Sequence, residues 1–218
     1  MGKKALVLMS GGLDSSTCLY WAKDNFDQVE AITFNYFKRI NVEKKATRAI
    51  ARQADVKLSE VKIPFIKEKL HYSNSKSTGD SLQSYIPLRN LIFYSMAGYY
   101  AQVNNISNLV GGHKANDGKI FKDATKSYFR KMNELILQGL VDSIDCKIVL
   151  PLKNKSRLDV IRMANMLNVP IELTWSCHKQ RKSPCGSCYS CKERLIAFNL
   201  LRLRDPALNI KIREKIGQ

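Results

Sequence analysis

No stretch of the 218 residues approaches the ~18 consecutive apolar residues that a membrane-crossing helix needs. The opening MGKKALVLMSGG has too short an apolar core for a secretory signal, so a cytoplasmic protein is expected. Internal repeats and low-complexity tracts are also missing, which argues against repeat and linker architectures. Acidic residues are scarce, 19 against 36 lysines and arginines, and the net charge is +17. Such an excess invites a nucleic-acid partner. The basic residues are nevertheless scattered, with only modest clusters at Lys44 to Arg52, Lys179 to Lys182 and Arg202 to Arg213, and no aromatic–basic RNA-binding pattern accompanies them. An anionic small-molecule site or a solvated basic surface explains the charge as well, and direct tRNA binding stays open without being favoured.

What is present is alternation. Apolar, β-branched stretches at Ala5 to Met9, Val29 to Phe34, Leu58 to Ile63, Asn108 to Gly111 and Lys147 to Leu150 read as strands. Helical stretches fall between and after them, at about Asp14 to Phe26, Asn41 to Asp55, Arg89 to Val103, Lys126 to Leu140 and Ser156 to Leu167. Strands and helices in this order imply an α/β fold, a doubly wound parallel sheet covered on both faces. His71 to Ser84 is polar and turn-rich and reads as a mobile surface loop, while Lys192 to Leu203 returns to a helical pattern with a basic face. Residues 1–170 read as the α/β domain, and 171–218 as a cysteine-bearing segment and helix packed as part of the same domain.

The stretch SGGLDSST, residues 10–17, follows the first strand directly. Ligands of a parallel sheet sit at the carboxyl ends of its strands, where helix N-termini point N–H groups outward. Gly11 and Gly12 let the backbone wrap an anion, and Ser15, Ser16 and Thr17 can add hydroxyl donors in the first helical turn. The result reads as a phosphate cradle spanning Leu8, Met9, Ser10, Gly11, Gly12, Leu13, Asp14, Ser15, Ser16, Thr17 and Cys18. The lysine of the GxxxxGK[ST] loop is missing, and Asp14 stands at its centre. A carboxylate among phosphates is expected to cap the helix or to face a magnesium ion.

Of the six cysteines, Cys18 and Cys146 stand alone, while Cys177, Cys185, Cys188 and Cys191 fall together in WSCHKQRKSPCGSCYSC. Four thiolates can close a tetrahedral zinc shell, with Pro184 and Gly186 supplying the turn, and a fully sulfur-ligated ion has a structural role. An iron–sulfur cluster is the rival.

SGGLDS resembles the SGGxDS signature of the PP-loop, or N-type, ATP pyrophosphatases. Together with the Cys-x7-Cys-x2-Cys-x2-Cys segment it resembles, over nearly the whole chain, the 7-cyano-7-deazaguanine synthase (QueC) family. IPLRN at Ile86 to Asn90 keeps Pro87, Arg89 and Asn90 of the family's PGRN, Pro151 and Leu152 match its PL segment, and ELTWSC at Glu172 to Cys177 resembles its approach to the first metal ligand. Departures occur too. FNYFKRI at Phe34 to Ile40 replaces FDYGQRH, IFKDAT at Ile120 to Thr125 replaces GYPDCR, and Leu88 replaces a glycine. These segments are expected to border the nucleobase pocket, which keeps open a divergent adenylating enzyme acting on another carboxylate or directly on tRNA.

The resemblance implies an AMP-forming C–N ligase that makes a nitrile from 7-carboxy-7-deazaguanine, ammonia and ATP, with Mg2+ and structural zinc, as a homodimer. It implies catalytic roles for Asp14, Ser15 and Arg89. Substrate contacts are expected from Arg89, Asn90, His113, Asp117 and Asp123. No Ser/His/Asp nucleophile constellation is visible, and the implied chemistry needs none.

Overall fold

A computed structural model describes residues 2–37, 39–67, 86–140 and 145–207. The polar stretch His71 to Ser84 lies outside these residues, as does the far end of the Arg202 to Arg213 cluster. The chain alternates β1 (Lys4–Leu8), α1 (Leu13–Asn25), β2 (Gln28–Asn35), α2 (Asn41–Gln53), β3 (Leu58–Lys62), α3 (Arg89–Val103) and β4 (Asn108–Val110). It continues with a single turn α4 (Asp117–Ile120), a 3-10 turn at Lys122–Ala124, α5 (Lys126–Gly139), β5 (Lys147–Val149), α6 (Arg157–Met166), a 3-10 turn at Ile171–Leu173 and α7 (Tyr189–Leu200).

All pairings are parallel and the strand order is β3-β2-β1-β4-β5. The order reverses direction between β1 and β4, so the loops after these two strands part and leave a crevice at their carboxyl ends. Side chains alternate across the sheet. Ala5 and Val7 join one core layer with Leu19 of α1, Ile50 of α2, Val160 of α6 and Phe198 of α7. Leu6 and Leu109 join the other, with Tyr94 and Ala97 of α3 and Phe129 and Met132 of α5.

Local chemistry sets the helix ends. Ser156 and Asp159 form a reciprocal capping box at the start of α6, and Thr125 accepts from the Tyr128 N–H at the start of α5. The helix expected from Lys192 already begins at Tyr189, because extended backbone at Cys188 places that residue at the N-cap. α4 and the 3-10 turns are too short to carry a helical period and could not be read from apolar spacing. Leu88, at the N-cap of α3, has φ 54° and ψ 23°, a left-handed conformation that explains why a glycine suits this position.

Candidate active site and metal centre

Two adjoining cavities of about 330 and 260 Å³ open at the crevice and share Tyr36, Glu43, Arg89, Asp117, Arg157 and Ser190 as common walls. Leu8, Met9, Ser10, Gly12, Leu13, Asp14 and Ser15 line the larger one.

The rest of the expected cradle points elsewhere. Gly11 has φ 86°, and a Cβ there would meet Glu43 O and Thr47 Oγ1 at 2.7 Å, so this glycine is dictated by packing on α2. Ser16 and Thr17 donate their hydroxyls to Gly12 O and Leu13 O, both at 2.8 Å, within the helix. Cys18 is fully buried beneath Gly111, and burial, with Asp14 nearby, raises its thiol pKa well above the ordinary value. Ser15 keeps its place at the cavity, within 3.1 Å of the Ser10 hydroxyl.

Asp14 does not cap α1, whose N-cap, Gly12, makes no side-chain bond. Its carboxylate instead meets two cations, Arg157 Nη1 at 2.5 Å and Lys114 Nζ at 3.5 Å. Each cation has a second acid: Lys114 pairs with Asp117 at 2.8 Å, and Arg157 with Glu193 at 3.0 Å. Burial opposes the charge on Lys114 and Arg157, but Asp14 together with Asp117 or Glu193 outweighs it and raises both pKa values. Burial also opposes the Asp117 carboxylate, yet Lys114 holds it below the usual range.

Arg39 closes the crevice from the β2 side. Its buried guanidinium donates to Thr33 Oγ1 at 2.8 Å, Phe34 O and Asn35 Oδ1 at 3.0 Å, and Ser10 O and Thr47 Oγ1 at 3.1 Å. Burial lowers its pKa, with Glu43 as the chief compensation.

On the expected substrate side, Arg89 lines both cavities, and its guanidinium has no hydrogen-bond or ion-pair partner among the described residues. Asn90 is buried and donates to Asp123 O at 2.9 Å, while its N–H reaches Asp123 Oδ2 at 3.4 Å, so these two residues tie α3 to the 3-10 turn. Asp123 still faces the smaller cavity, whereas both oxygens of Asp117 are occupied by Lys114. His113 packs on Phe129 at a ring separation of 4.5 Å, and burial pushes its pKa down to about 4, so the ring is neutral at physiological pH. Tyr36, Ile40, Ile120 and Phe121 also line the smaller cavity, which places both departing segments at its wall.

The Cys177, Cys185, Cys188 and Cys191 sulfurs lie within 4.8 Å of one another and could hold a metal ion. Gly186, at φ 70°, turns the knuckle. Main-chain N–H groups of Lys179 and Cys185 point at Cys177 Sγ from 3.4 and 3.3 Å, and that of Cys188 at Cys185 Sγ from 3.3 Å; these bonds favour thiolates, but at Cys177 burial outweighs them and raises its pKa. Burial opposes the Cys185 thiolate, but bonds from Ser187 and the Cys188 N–H bring its pKa down to about 5. This knuckle is part of the cavity wall: Tyr189, Ser190 and Glu193 all face inward from α7. A buried Arg194–Asp205 pair, bonded at 2.6 and 2.9 Å, clamps α7 to Thr174 and Ser176 on the approach to Cys177.

Arg39, Lys114, Arg157 and Glu193 were not evident as site residues in the sequence. The available signal was position: Arg39 and Lys114 lie in loops that follow strands, and Arg157 opens α6 directly after the Ser156 cap, all at the end of the sheet where a parallel-sheet crevice forms.

The sequence model of a family described as "Queuosine biosynthesis protein QueC" matches residues 4–202. A 7-cyano-7-deazaguanine synthase from Aliarcobacter butzleri is 34% identical over 216 residues, covering 94% of this chain and 94% of that protein. One from Thermoplasma volcanium is 35% identical over 218 residues, covering 94% and 90%. Among solved structures, the NMN synthetase from Francisella tularensis superposes with a TM-score of 0.53 at 17% identity, over 93% of this chain and 78% of that one, a likeness of fold. Among the described residues no helix is long and apolar enough to cross a membrane.

Proposed function

The chain belongs to the QueC family of queuosine biosynthesis proteins, and on that premise we propose that it converts 7-carboxy-7-deazaguanine to 7-cyano-7-deazaguanine with ammonia and ATP. The observation that carries this reading is the placement of Ser10, Gly12, Leu13, Asp14 and Ser15 in one crevice with Arg89, whose guanidinium has no partner among the described residues, at the reversal of the sheet.

A carboxylate resists nucleophiles because its charge repels them and its oxygen leaves badly. Adenylation cures both faults: the carboxyl oxygen bonds to the α-phosphorus of ATP, and pyrophosphate departs with its bonding pair. Ammonia then displaces AMP to give the amide. A second ATP activates the amide oxygen, and loss of a proton and AMP leaves the nitrile. This chain contributes positioning and charge, with its first-turn N–H groups on the phosphates and the Arg89 fork on the substrate carboxylate. Asp123, with an oxygen toward the smaller cavity, is suited to ring N–H donors.

The lining carries four cations, Arg39, Arg89, Lys114 and Arg157, against five carboxylates, Asp14, Glu43, Asp117, Asp123 and Glu193. A nucleoside triphosphate therefore needs further positive charge, which supports Mg2+ as its companion. Thiolates around one tetrahedral ion at ~2.3 Å stand ~3.8 Å apart, close to the spacing here, whereas a multi-iron cluster gives each thiolate its own iron. That supports zinc in a structural role.

The C-terminal segment is taken as part of one folding unit, because Trp175, Cys177, Cys191 and Phe198 share a core with Leu13 and Val160. A cytoplasmic homodimer completes the reading, with the family resemblance as its support; the ammonia is supplied free or by a separate partner. The test incubates the protein with ATP, magnesium, ammonium and 7-carboxy-7-deazaguanine and follows amide, nitrile and AMP by mass spectrometry. Release of ADP, or no nitrile, overturns it.

A further inference from the structure

We propose that Lys114 and Arg157 hold the departing pyrophosphate, and that Asp14 occupies their shared position as an internal anion until the nucleotide displaces it. The inference rests on the adenylation reading above and adds two residues to it.

Three observations converge. First, Asp14 is not needed to keep either cation in place. Lys114 retains Asp117 and Arg157 retains Glu193, so removing the Asp14 charge leaves two cations against two carboxylates at unchanged positions. Second, the backbone brings the cations to the loop independently of Asp14. A Cβ on Gly112 would stand 3.0 Å from Ser15 N and 3.1 Å from Asp14 C, so the β4 turn bearing Lys114 lies directly on the start of α1. Third, the arrangement has spare donors. Arg157 Nε is buried without a partner among the described residues, and α1 has no side-chain cap for its first-turn N–H groups. One carboxylate cannot satisfy all of these, but the several oxygens of a pyrophosphate can.

When the substrate oxygen bonds to the α-phosphorus, the bond to the bridging oxygen breaks and its electron pair leaves with the pyrophosphate. Charge therefore grows where Lys114 and Arg157 point, and Asp14 is released from them. In this scheme Lys114 and Arg157 contact the leaving group, whereas Asp14 tunes its affinity.

The experiment measures pyrophosphate binding calorimetrically without divalent ions, AMP binding in parallel, and substrate-dependent ATP–pyrophosphate exchange. Lys114→Gln and Arg157→Gln should each weaken pyrophosphate about tenfold or more while AMP affinity stays within about twofold, and Arg157→Lys should recover part of the loss. Asp14→Asn should tighten metal-free pyrophosphate severalfold. Thermal melting checks that each variant is folded. Equal losses for AMP and pyrophosphate in the glutamine variants, or weaker metal-free pyrophosphate binding in Asp14→Asn, would overturn the proposal. Absence of exchange by the wild-type protein would instead count against the adenylation reading, whatever the variants bind.

Discussion

The Arg39 guanidinium, in the loop after β2, donates to the main-chain oxygen of Ser10 at 3.1 Å and so holds the loop between β1 and α1 from behind. The same side chain reaches Thr47, against which Gly11 is packed. Arg39→Met leaves several buried acceptors without donors, each costing ~1–3 kcal/mol, and Arg39→Lys cannot reproduce the fork. Both should raise KM for ATP more than they lower kcat, and urea unfolding should show Arg39→Met at least ~2 kcal/mol less stable. An unchanged KM would remove Arg39 from the site's support.

Leu88 is 56% exposed and left-handed at φ 54°. A β-carbon in that conformation costs ~1–2 kcal/mol, only partly offset by the greater freedom of glycine in the unfolded chain. Leu88→Gly should therefore stabilise by ~0.5–1 kcal/mol in urea titrations. Destabilisation would mean that the leucine makes a contact worth more than its strain.

Tyr94 Oη is buried without a hydrogen-bond partner among the described residues, and a Cβ on Gly111 would lie 1.7 Å from it. Gly111→Ala should destabilise by ~1–3 kcal/mol through overpacking. Tyr94→Phe should be neutral or stabilising, and the double variant should recover most of the alanine's cost. Purely additive effects would show that the clash is relieved elsewhere.

The cysteine knuckle should carry one zinc per chain by elemental analysis, and the protein should be colourless. Cys191→Ser or prolonged chelation should lower the melting temperature by several degrees, since metal binding adds directly to folding free energy. ATP affinity should fall as well, because α7 supplies Glu193 to Arg157. A brown, iron-containing protein would replace zinc with a cluster.

His113 titrates at about 4 in the folded protein, against ~6.5 when unfolded. As pH falls, the unfolded chain takes the proton first, so the contribution of the neutral ring is full above ~6.5 and is lost on the way down to about 4. The stability of the wild type relative to His113→Phe should decline across that window. A constant difference would place the ring in water.

The sheet was legible because short apolar or β-branched stretches alternate with longer helical ones; α2 and α5 keep a clear apolar period, whereas α1 and α3 do not and were placed by their position between strands. Boundaries fell within a few residues, as with Ala5 to Met9 against Lys4–Leu8. The glycine–serine loop at the crevice and the cluster of four cysteines were legible because their spacing is local. Lys114 and Arg157 were not: Asp14 and Arg157 are 143 residues apart, and only the parallel crossovers bring them together. The burial of Thr17 and Cys18 was hidden for the opposite reason, since a contiguous motif does not reveal which face of the first helical turn enters the core.

Because Tyr189, Ser190 and Glu193 sit between and just beyond the last two of the four clustered cysteines, one wall of the joined cavities comes from late in the chain and the other from its beginning. During synthesis the loop at residues 10–15 emerges long before the wall opposite it exists. The crevice is therefore complete only once α7 has been made.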